Sequence, residues 1–274
     1  MPVDALLLAL AAAVLHAGWN LVLARQPDSR LGAAGQLIVS TIVWAPVAFV
    51  LWRIESAAVP YLVAASLLQL AYFAFLAAAY EAGDLSLVYP LARGGAPVIV
   101  VIVAAAGAGG AVSAVQVVGI LAVALGVIAV RGLRGPWRGR DTGLAAITAA
   151  TIAGYTVLDR YGVRHANPLT YVWLELLPSA FGYAGMMAWR RGPGAVRKAI
   201  GTPTIVAGIG ALGSYALVLA ALRLASAAPV SAVRESSVVI AVGLASVVLG
   251  EHVGRRRMAG AVVVAAGTAL VALG

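Results

Sequence analysis

Residues 80–100 read Y-E-A-G-D-L-S-L-V-Y-P-L-A-R-G-G-A-P-V-I-V and place a charge inside an apolar run. One apolar segment ends at Glu81, the chain turns at Gly83-Asp84, and a second segment begins at Leu85. Arg93 lies about nine residues into that second segment. A charged side chain near the centre of a bilayer costs roughly 2.5 to 10 kcal/mol, so it is retained only where it is paired or faces water.

The same pattern occurs a second time in the chain. Shifting the sequence around Arg234 back by 141 positions superposes this residue on Arg93. The same shift also superposes three pairs of glycines, namely Gly250 on Gly109, Gly260 on Gly119 and Gly267 on Gly126. An arginine and three glycines in one register indicate an internal repeat.

The composition indicates a polytopic helical membrane protein. The chain has 274 residues, of which 62% are hydrophobic and 11% are charged. A soluble domain needs a more polar exterior than this composition supplies. The net charge of +9 does not indicate nucleic-acid binding, because the basic residues lie in short connections, as orientation signals do. The absence of cysteine excludes disulfides and thiol chemistry.

Ten apolar runs of about the length needed to cross a bilayer fit the sequence. We predict an all-α membrane protein in which two inverted five-helix repeats, residues 1–131 and 141–274, surround a central cavity. A basic linker at 132–140 joins them. An odd number of spans in each half gives the halves opposite orientations, as in many transporters. The predicted spans are 5–24, 33–52, 61–80, 85–105, 112–130, 142–159, 168–189, 202–222, 227–248 and 257–273.

The basic residues also predict an orientation for these spans. The odd-numbered connections carry thirteen arginines and lysines, counting Arg257 at the start of the tenth span, and the even-numbered connections carry four. Cytoplasmic loops are enriched in basic residues, so the odd connections should be cytoplasmic and both termini should lie outside.

Polar side chains recur at helical spacing inside several of the predicted spans. Their residue types suit the lining of a substrate cavity, although interfacial anchoring, aromatic packing and hydrogen bonds between helices explain the same pattern. The first and third spans contribute His16, Trp19, Asn20, Gln69 and Tyr72, and later spans contribute Tyr89, Tyr155, Ser214 and Ser237.

The charged residues in the spans carry the functional prediction. Arg93 and Arg234 would face the cavity from matching positions in the two halves and bind a carboxylate or phosphate. The alternative is a structural network in which Glu175 and Glu235 neutralise the two arginines. Glu235 cannot pair with Arg234 on one helix face, because adjacent residues diverge by about 100°, so we expect its partner on another helix. His16, Glu175 and Glu235 are also the candidate proton carriers.

Four motifs, read together, resemble the drug/metabolite transporter superfamily and its ten-span members built from two EamA-type repeats. The similarity covers essentially the whole chain, and the motifs lie in the order that the family has. They are His16-Ala-Gly-Trp-Asn20, the run from Gly83 through Arg93 to Gly94, the run Tyr155–Arg164, and Leu249-Gly-Glu251 before the glycine-spaced last span.

The resemblance implies a carrier of small metabolites, often an exporter of amino acids, with spans one, three, four, six, eight and nine lining the cavity. It implies that the fifth and tenth spans are supports. Two departures stand out. The first half has Gly109-Gly110 where the second has Gly250-Glu251, and the first span has His16 where small multidrug-resistance relatives use a glutamate to couple protons to cationic drugs.

We therefore expect a secondary transporter of an anionic or zwitterionic metabolite in the bacterial inner (plasma) membrane, with no cofactor and no metal. Its partners would be a small-molecule substrate and the lipid bilayer, without nucleic acid. A monomer suffices, and a homodimer stays open. Three alternatives remain, namely an intramembrane enzyme, a non-transporting membrane subunit, and an exporter of cationic lipophilic drugs. The enzyme is disfavoured because the spans carry no nucleophile–base or metal-ligand constellation.

Overall fold

A computed structural model describes residues 1–24, 26–82, 85–108, 110–131, 139–249 and 254–274. The regular structure in these ranges is helical, with 3₁₀ turns at Ser56–Ala58 and Val163–His165. The α-helices are α1 Val3–Ala24, α2 Ser29–Val50, α3 Val59–Ala82, α4 Leu85–Ala105, α5 Ala114–Arg131, α6 Gly139–Gly162, α7 Pro168–Arg191, α8 Pro193–Lys198, α9 Thr202–Leu224, α10 Ala227–Arg234, α11 Ser237–Leu249 and α12 Arg255–Leu273.

Side chains define two of the helix starts. The Asp28 carboxylate accepts hydrogen bonds from the backbone N–H groups of Arg30 and Leu31 at 3.0 and 3.2 Å, which satisfies two free donors at the start of α2. Asn167 caps α7 in the same way, and Pro168 supplies the φ angle that the first helical position needs. Both starts lie within five residues of the predicted ones.

Several of these helices have the length and apolar character of membrane spans. Six long helical segments meet both criteria, and α4 and α5 contain shorter apolar stretches at Leu91–Ala105 and Ala114–Val130. Large apolar side chains cover much of the outside, including Val50, Phe181 and Leu273, each more than three-quarters exposed. Such an exterior is typical of a surface that faces lipid. The finer prediction of ten spans stays a prediction.

The predicted ninth span, 227–248, contains a segment that meets the criteria of a membrane span, Ala227–Leu244, but it is not one uninterrupted helix. The helix ends at Arg234 and starts again at Ser237. The N–H groups of Glu235 and Ser236 bond three residues back, to the carbonyls of Ala232 and Val233, so the α-helical ladder stops there. Serine side chains compete with helical backbone bonds, and this segment has two in succession.

Most pairs of helices that pack together have a counterpart, in which each helix is replaced by the equivalent helix of the other half. α1 packs on α9, and the counterpart of this pair, α6 on α3, is also in contact. The same holds for α2 on α9 and α7 on α3, and for α4 on α6 and the α10–α11 segment on α1. The pairs α2–α7 and α5–α12 are their own counterparts. Contacts between the halves therefore dominate the fold.

Glycines bring α5 and α12 into backbone contact. A Cβ atom on Gly119 would lie 2.7 Å from the carbonyl oxygen of Gly267, and one on Gly126 would lie 2.8 Å from that of Gly260. These pairings run in opposite directions along the two helices, so the helices are antiparallel. The sequence left a homodimer interface open for these spans, but their glycines meet each other within one chain. The matched glycines Gly109 and Gly250, the Gly83-Asp84 turn and most of the basic linker lie outside the described residues.

A short backbone pairing joins the connections that follow α2 and α6. Ile54 and Ala166 form an antiparallel bridge, flanked by hydrogen bonds from Glu55 N–H to His165 carbonyl and from Asn167 N–H to Arg53 carbonyl. The Glu55 carboxylate contacts Arg53 at 3.0 Å and His165 at 3.2 Å. Hydrogen bonds from these two groups lower the pKa of Glu55. Exposed pairs of this kind add little stability, so the backbone bonds form the main connection.

We expect Gly126→Ala to destabilise the protein by roughly 1–3 kcal/mol, because the new methyl group has to push α5 and α12 apart. Thermal unfolding of the purified protein measures the effect. Gly143→Ala in α6 is the matched control, because a Cβ atom there meets nothing within 4 Å. Equal melting temperatures for the two variants would contradict the close packing.

Candidate functional site

Five ionisable side chains from four parts of the chain are buried inside the helix bundle. Arg93 comes from α4, Asp159 from α6, Glu175 from α7, and Arg234 and Glu235 from the break between α10 and α11. Each is at most 6% exposed. Charges are rarely buried without partners, because their desolvation costs several kcal/mol. The partners of each therefore define what this charged cluster can do.

Arg93 and Glu235 form a buried salt bridge between the two halves. The Arg93 Nη2 atom lies 3.1 Å from Glu235 Oε1. The same nitrogen lies 3.4 Å from His16 Nε2, and since a guanidinium has only donors, it donates to the imidazole. The prediction that Glu235 pairs with a residue on another helix is confirmed. One candidate cation is thus engaged by α1 and by the helix break.

Arg234 lacks a comparable partner in the described part of the chain. Its Nε atom lies 4.0 Å from Glu235 Oε1, beyond hydrogen-bond range, and has no hydrogen-bond partner among the described residues. Its guanidinium carbon lies 5.8 Å from the ring centroid of Tyr215, a cation–π contact. The two arginines occupy matching sequence positions, but only Arg93 is held in a close ion pair.

Asp159 and Glu175 are the most deeply buried carboxyls, each with no exposed surface. The Tyr215 hydroxyl donates to Asp159 Oδ2 at 2.5 Å. Asp159 Oδ1 and both carboxyl oxygens of Glu175 have no hydrogen-bond partner in the described ranges. The expectation that Glu175 neutralises one of the two arginines is wrong for this structure, since no salt bridge between described residues includes it.

The position of Asp159 also differs from the one that its sequence neighbourhood suggests. Next to Arg160, at the end of a predicted span, it should lie near the interface. Arg160 instead donates to the carbonyls of Leu222 and Ala225 at the C-terminal end of α9, where a cation is favoured. Asp159 is completely buried and accepts a hydrogen bond from Tyr215 of α9.

Three tyrosines extend from this cluster toward α3. Tyr155 contacts Tyr215 edge-on with ring centroids 6.0 Å apart, and it contacts Tyr72 edge-on at 6.3 Å. Edge-to-face contacts at these separations are favourable. Tyr72 and Tyr155 belong to the residues that the sequence proposed for the site, and Tyr215 was not among them. In the sequence, the i, i+4 spacing of Tyr155 and Asp159 is the signal that places a polar face on α6.

Three other proposed residues make contacts within or between helices. Ser214 donates to the carbonyl of Ala12 in α1 at 2.9 Å, so it joins two helices. Asn20 donates to the carbonyl of His16 at 2.7 Å within α1. The Cβ atom of Trp19 lies 3.0 Å from the position of a Cβ on Gly210, and its indole ring contacts the His16 ring at 5.0 Å.

The structure gives fewer contacts for the remaining proposed residues. Gln69 is buried in α3, and its side-chain carbonyl oxygen has no hydrogen-bond partner among the described residues. Ser237 is the first residue of α11 and is buried beside the helix break. The backbone of Tyr89 belongs to α4, but its side chain lies outside the described residues.

An apolar groove of about 520 Å³ lies in a different part of the molecule, between α2, α7 and α8. It is lined mainly by aliphatic side chains, with Arg197 at one end, and it includes none of the proposed site residues. Exposed Ile42 and Phe181 line it, so this groove opens to the lipid-facing surface. It does not form part of the charged cluster.

The chain is similar to known proteins in two comparisons, one with family models and one with solved structures. Residues 142–273 match the family model of the EamA-like transporter family, whose members are transporters and not enzymes. This match supports a relationship to the drug/metabolite transporter superfamily and an integral, multi-pass membrane protein. A search of curated proteins finds no match. The chain also shares its fold with a solved structure described only as the crystal structure of a protein, with a TM-score of 0.77 and 15% identity over 98% of both chains.

We expect Glu235→Gln to destabilise the protein by roughly 3–5 kcal/mol, because it leaves the buried Arg93 without its counter-charge. Adding Arg93→Met to this variant should recover part of the loss, so the double variant should be less destabilised than the two single changes together predict. Chemical denaturation in detergent measures all three.

Glu55→Gln is the matched control, because it removes a carboxylate from an exposed ion pair. It should leave stability unchanged within error. Additive effects of the Arg93 and Glu235 substitutions would contradict a direct interaction between the two side chains.

Proposed function

We propose that this protein is a secondary transporter of a small organic metabolite with a carboxylate or phosphate group, anionic or zwitterionic, and that it works as an exporter. Ten spans in two inverted five-helix repeats, residues 1–131 and 141–274, form its pathway, with both termini outside. The match of residues 142–273 to a transporter family supports this function. The exchangeable pattern of helix contacts supports the repeat.

The observation that carries the proposal is the state of Arg234. It is a buried guanidinium between the two halves, and its shortest ion pair in the described part of the chain is 4.0 Å long. Arginine presents a planar fork of donors that matches a carboxylate or a phosphate. A substrate anion can therefore supply the close counter-charge that the described residues do not supply.

The helix break at Glu235-Ser236 is a second reason to propose that the substrate binds at Arg234. In many secondary transporters the substrate binds near the bilayer midplane, beside helices that are interrupted there. Arg234 is the last residue of α10, directly before the break, and Ser237 begins α11 directly after it. Arg93 would act differently, by holding Glu235 in place from α4. The role of the two arginines would thus be divided between substrate binding and positioning.

The way in which the halves contact each other supports a proposal of alternating access. α1 packs on α9 and α6 packs on α3, and these two pairs are counterparts in the repeat. If one pair separates while the other stays closed, the cluster opens to one side of the membrane at a time. In the present structure the cluster is enclosed, because all five of its charged side chains are buried.

A second candidate is an exporter of cationic drugs. The observation that favours it is the pair of buried carboxyls, Asp159 and Glu175, because three of their four oxygens have no hydrogen-bond partner among the described residues. A cation would bind these carboxyls, and Arg234 would then oppose its binding. The two candidates predict opposite responses to the loss of the Arg234 charge.

We expect anions or zwitterions to raise the melting temperature of the wild-type protein in a panel of amino acids, other carboxylates, organophosphates and lipophilic cations. A ligand at a hundred times its dissociation constant stabilises by roughly 2.7 kcal/mol, which a thermal scan detects. Arg234→Gln should abolish the stabilisation, because it removes the fork that binds the anion.

Arg223→Gln is the matched control, because Arg223 is exposed at the end of α9. It should keep the full response. If only lipophilic cations stabilise the protein, and if Arg234→Gln strengthens their effect, the cationic candidate is correct and the anionic proposal is wrong.

A further inference from the structure

Asp159 and Glu175 form a second buried feature that the proposed anion site does not use. Between them they have four carboxyl oxygens, and only Asp159 Oδ2 has a hydrogen-bond partner in the described part of the chain, the Tyr215 hydroxyl. Both residues have no exposed surface. The desolvation of two such carboxylates is not compensated by hydrogen bonds, so it has to be reduced in another way.

Both carboxyls are fully buried inside the helix bundle, Asp159 on α6 and Glu175 on α7, where two ionised carboxyls would disfavour each other. The titratable or charged side chains that act on the pair come from four helices, namely Tyr155 in α6, Tyr171 in α7, Tyr215 in α9 and Arg234 at the end of α10. Arg234 is the single cation in this group.

The charges of the cluster do not balance if every carboxyl is ionised. Arg93 and Glu235 neutralise each other through their salt bridge. The remaining cation, Arg234, faces two carboxyls, Asp159 and Glu175. One bound proton makes this remainder neutral, whereas two adjacent carboxylates in a buried site repel each other.

We propose that Asp159 and Glu175 together form an internal proton-binding site that holds one proton in this structure, and that the charge of Arg234 sets how many protons it holds. The Tyr215 hydroxyl joins the site to Arg234, because it donates to Asp159 while its ring lies against the guanidinium. Asp159 is the member that the sequence did not offer as a proton carrier.

This inference rests in part on the proposed function, because it gives the anion site a coupling ion. An anion that binds Arg234 cancels the charge that allows one carboxyl to stay ionised. The pair then takes up a second proton from solution, and the cluster with its bound anion is neutral again. By linkage, anions should bind more tightly as the pH falls, and the limit is one proton for each anion.

Infrared spectroscopy of the full chain in lipid tests the site without any substrate. The carbonyl stretch of a protonated carboxylic acid is separate from the amide bands, so its amplitude reports the number of protons held. We expect this band at neutral pH in the wild type and its loss in the double variant Asp159→Asn/Glu175→Gln. Arg234→Gln should increase the band about twofold, because both carboxyls are then neutral.

Two matched controls should leave the band unchanged, namely Glu55→Gln, which removes an exposed carboxylate, and the exposed Arg223→Gln. A band that persists in the double variant, or that does not respond to Arg234→Gln, overturns the proposal. If the double variant does not fold, the comparison of wild type with Arg234→Gln still decides it. The anion panel tests the proposed function separately, so the two can fail independently.

Discussion

The fold and the site both depend on the rule that a charge inside the bilayer needs a partner from another helix. The Arg93–Glu235 salt bridge meets this requirement by joining α4 to the break between α10 and α11, that is, one half of the chain to the other. A buried ion pair is not a large source of stability, but removing one member leaves an uncompensated charge. The pair therefore contributes more to the specificity of the contact between the two halves than to its free energy. Glu235 is directed to Arg93, and its neighbour Arg234 has, among the described residues, a 4.0 Å contact with Glu235 and a cation–π contact with Tyr215.

A second constraint lies between α5 and α12. Their glycines let the two backbones touch, so these helices act as one support on which the other helices are arranged. Most of the other large contacts join the two halves, and they form pairs that are equivalent when the halves are exchanged. The polar, interrupted segment at α10 and α11 packs between helices of the first half, namely α1 and α4.

The sequence predicted most of the fold because apolar runs and glycine spacing are local signals. Each predicted run falls on a helix, and the ninth falls on α10 and α11. The break was not predicted, since Glu235 and the two serines after it lie in an apolar run that reads as one span, and a polar residue inside such a run does not by itself end a helix. Asp159 was placed at the interface because of its neighbour Arg160, whose contact with the end of α9 is a tertiary feature. Helical spacing predicts which residues share a helix face, but which side chains share a partner is decided across helices.

If the protein transports its substrate past the charged cluster, water reaches this cluster in at least one state of the transport cycle. The chain contains no cysteine, so single cysteines can be introduced without background labelling. Ser236→Cys places a thiol at the helix break, and Ile102→Cys places one on the exposed surface of α4. A water-soluble maleimide reacts with the thiolate, which forms in water and not in lipid. We expect the thiol at position 236 to be labelled in membranes and the thiol at position 102 to stay unlabelled. An unlabelled thiol at 236 would show a permanently dry interior and would contradict a transport pathway through this cluster.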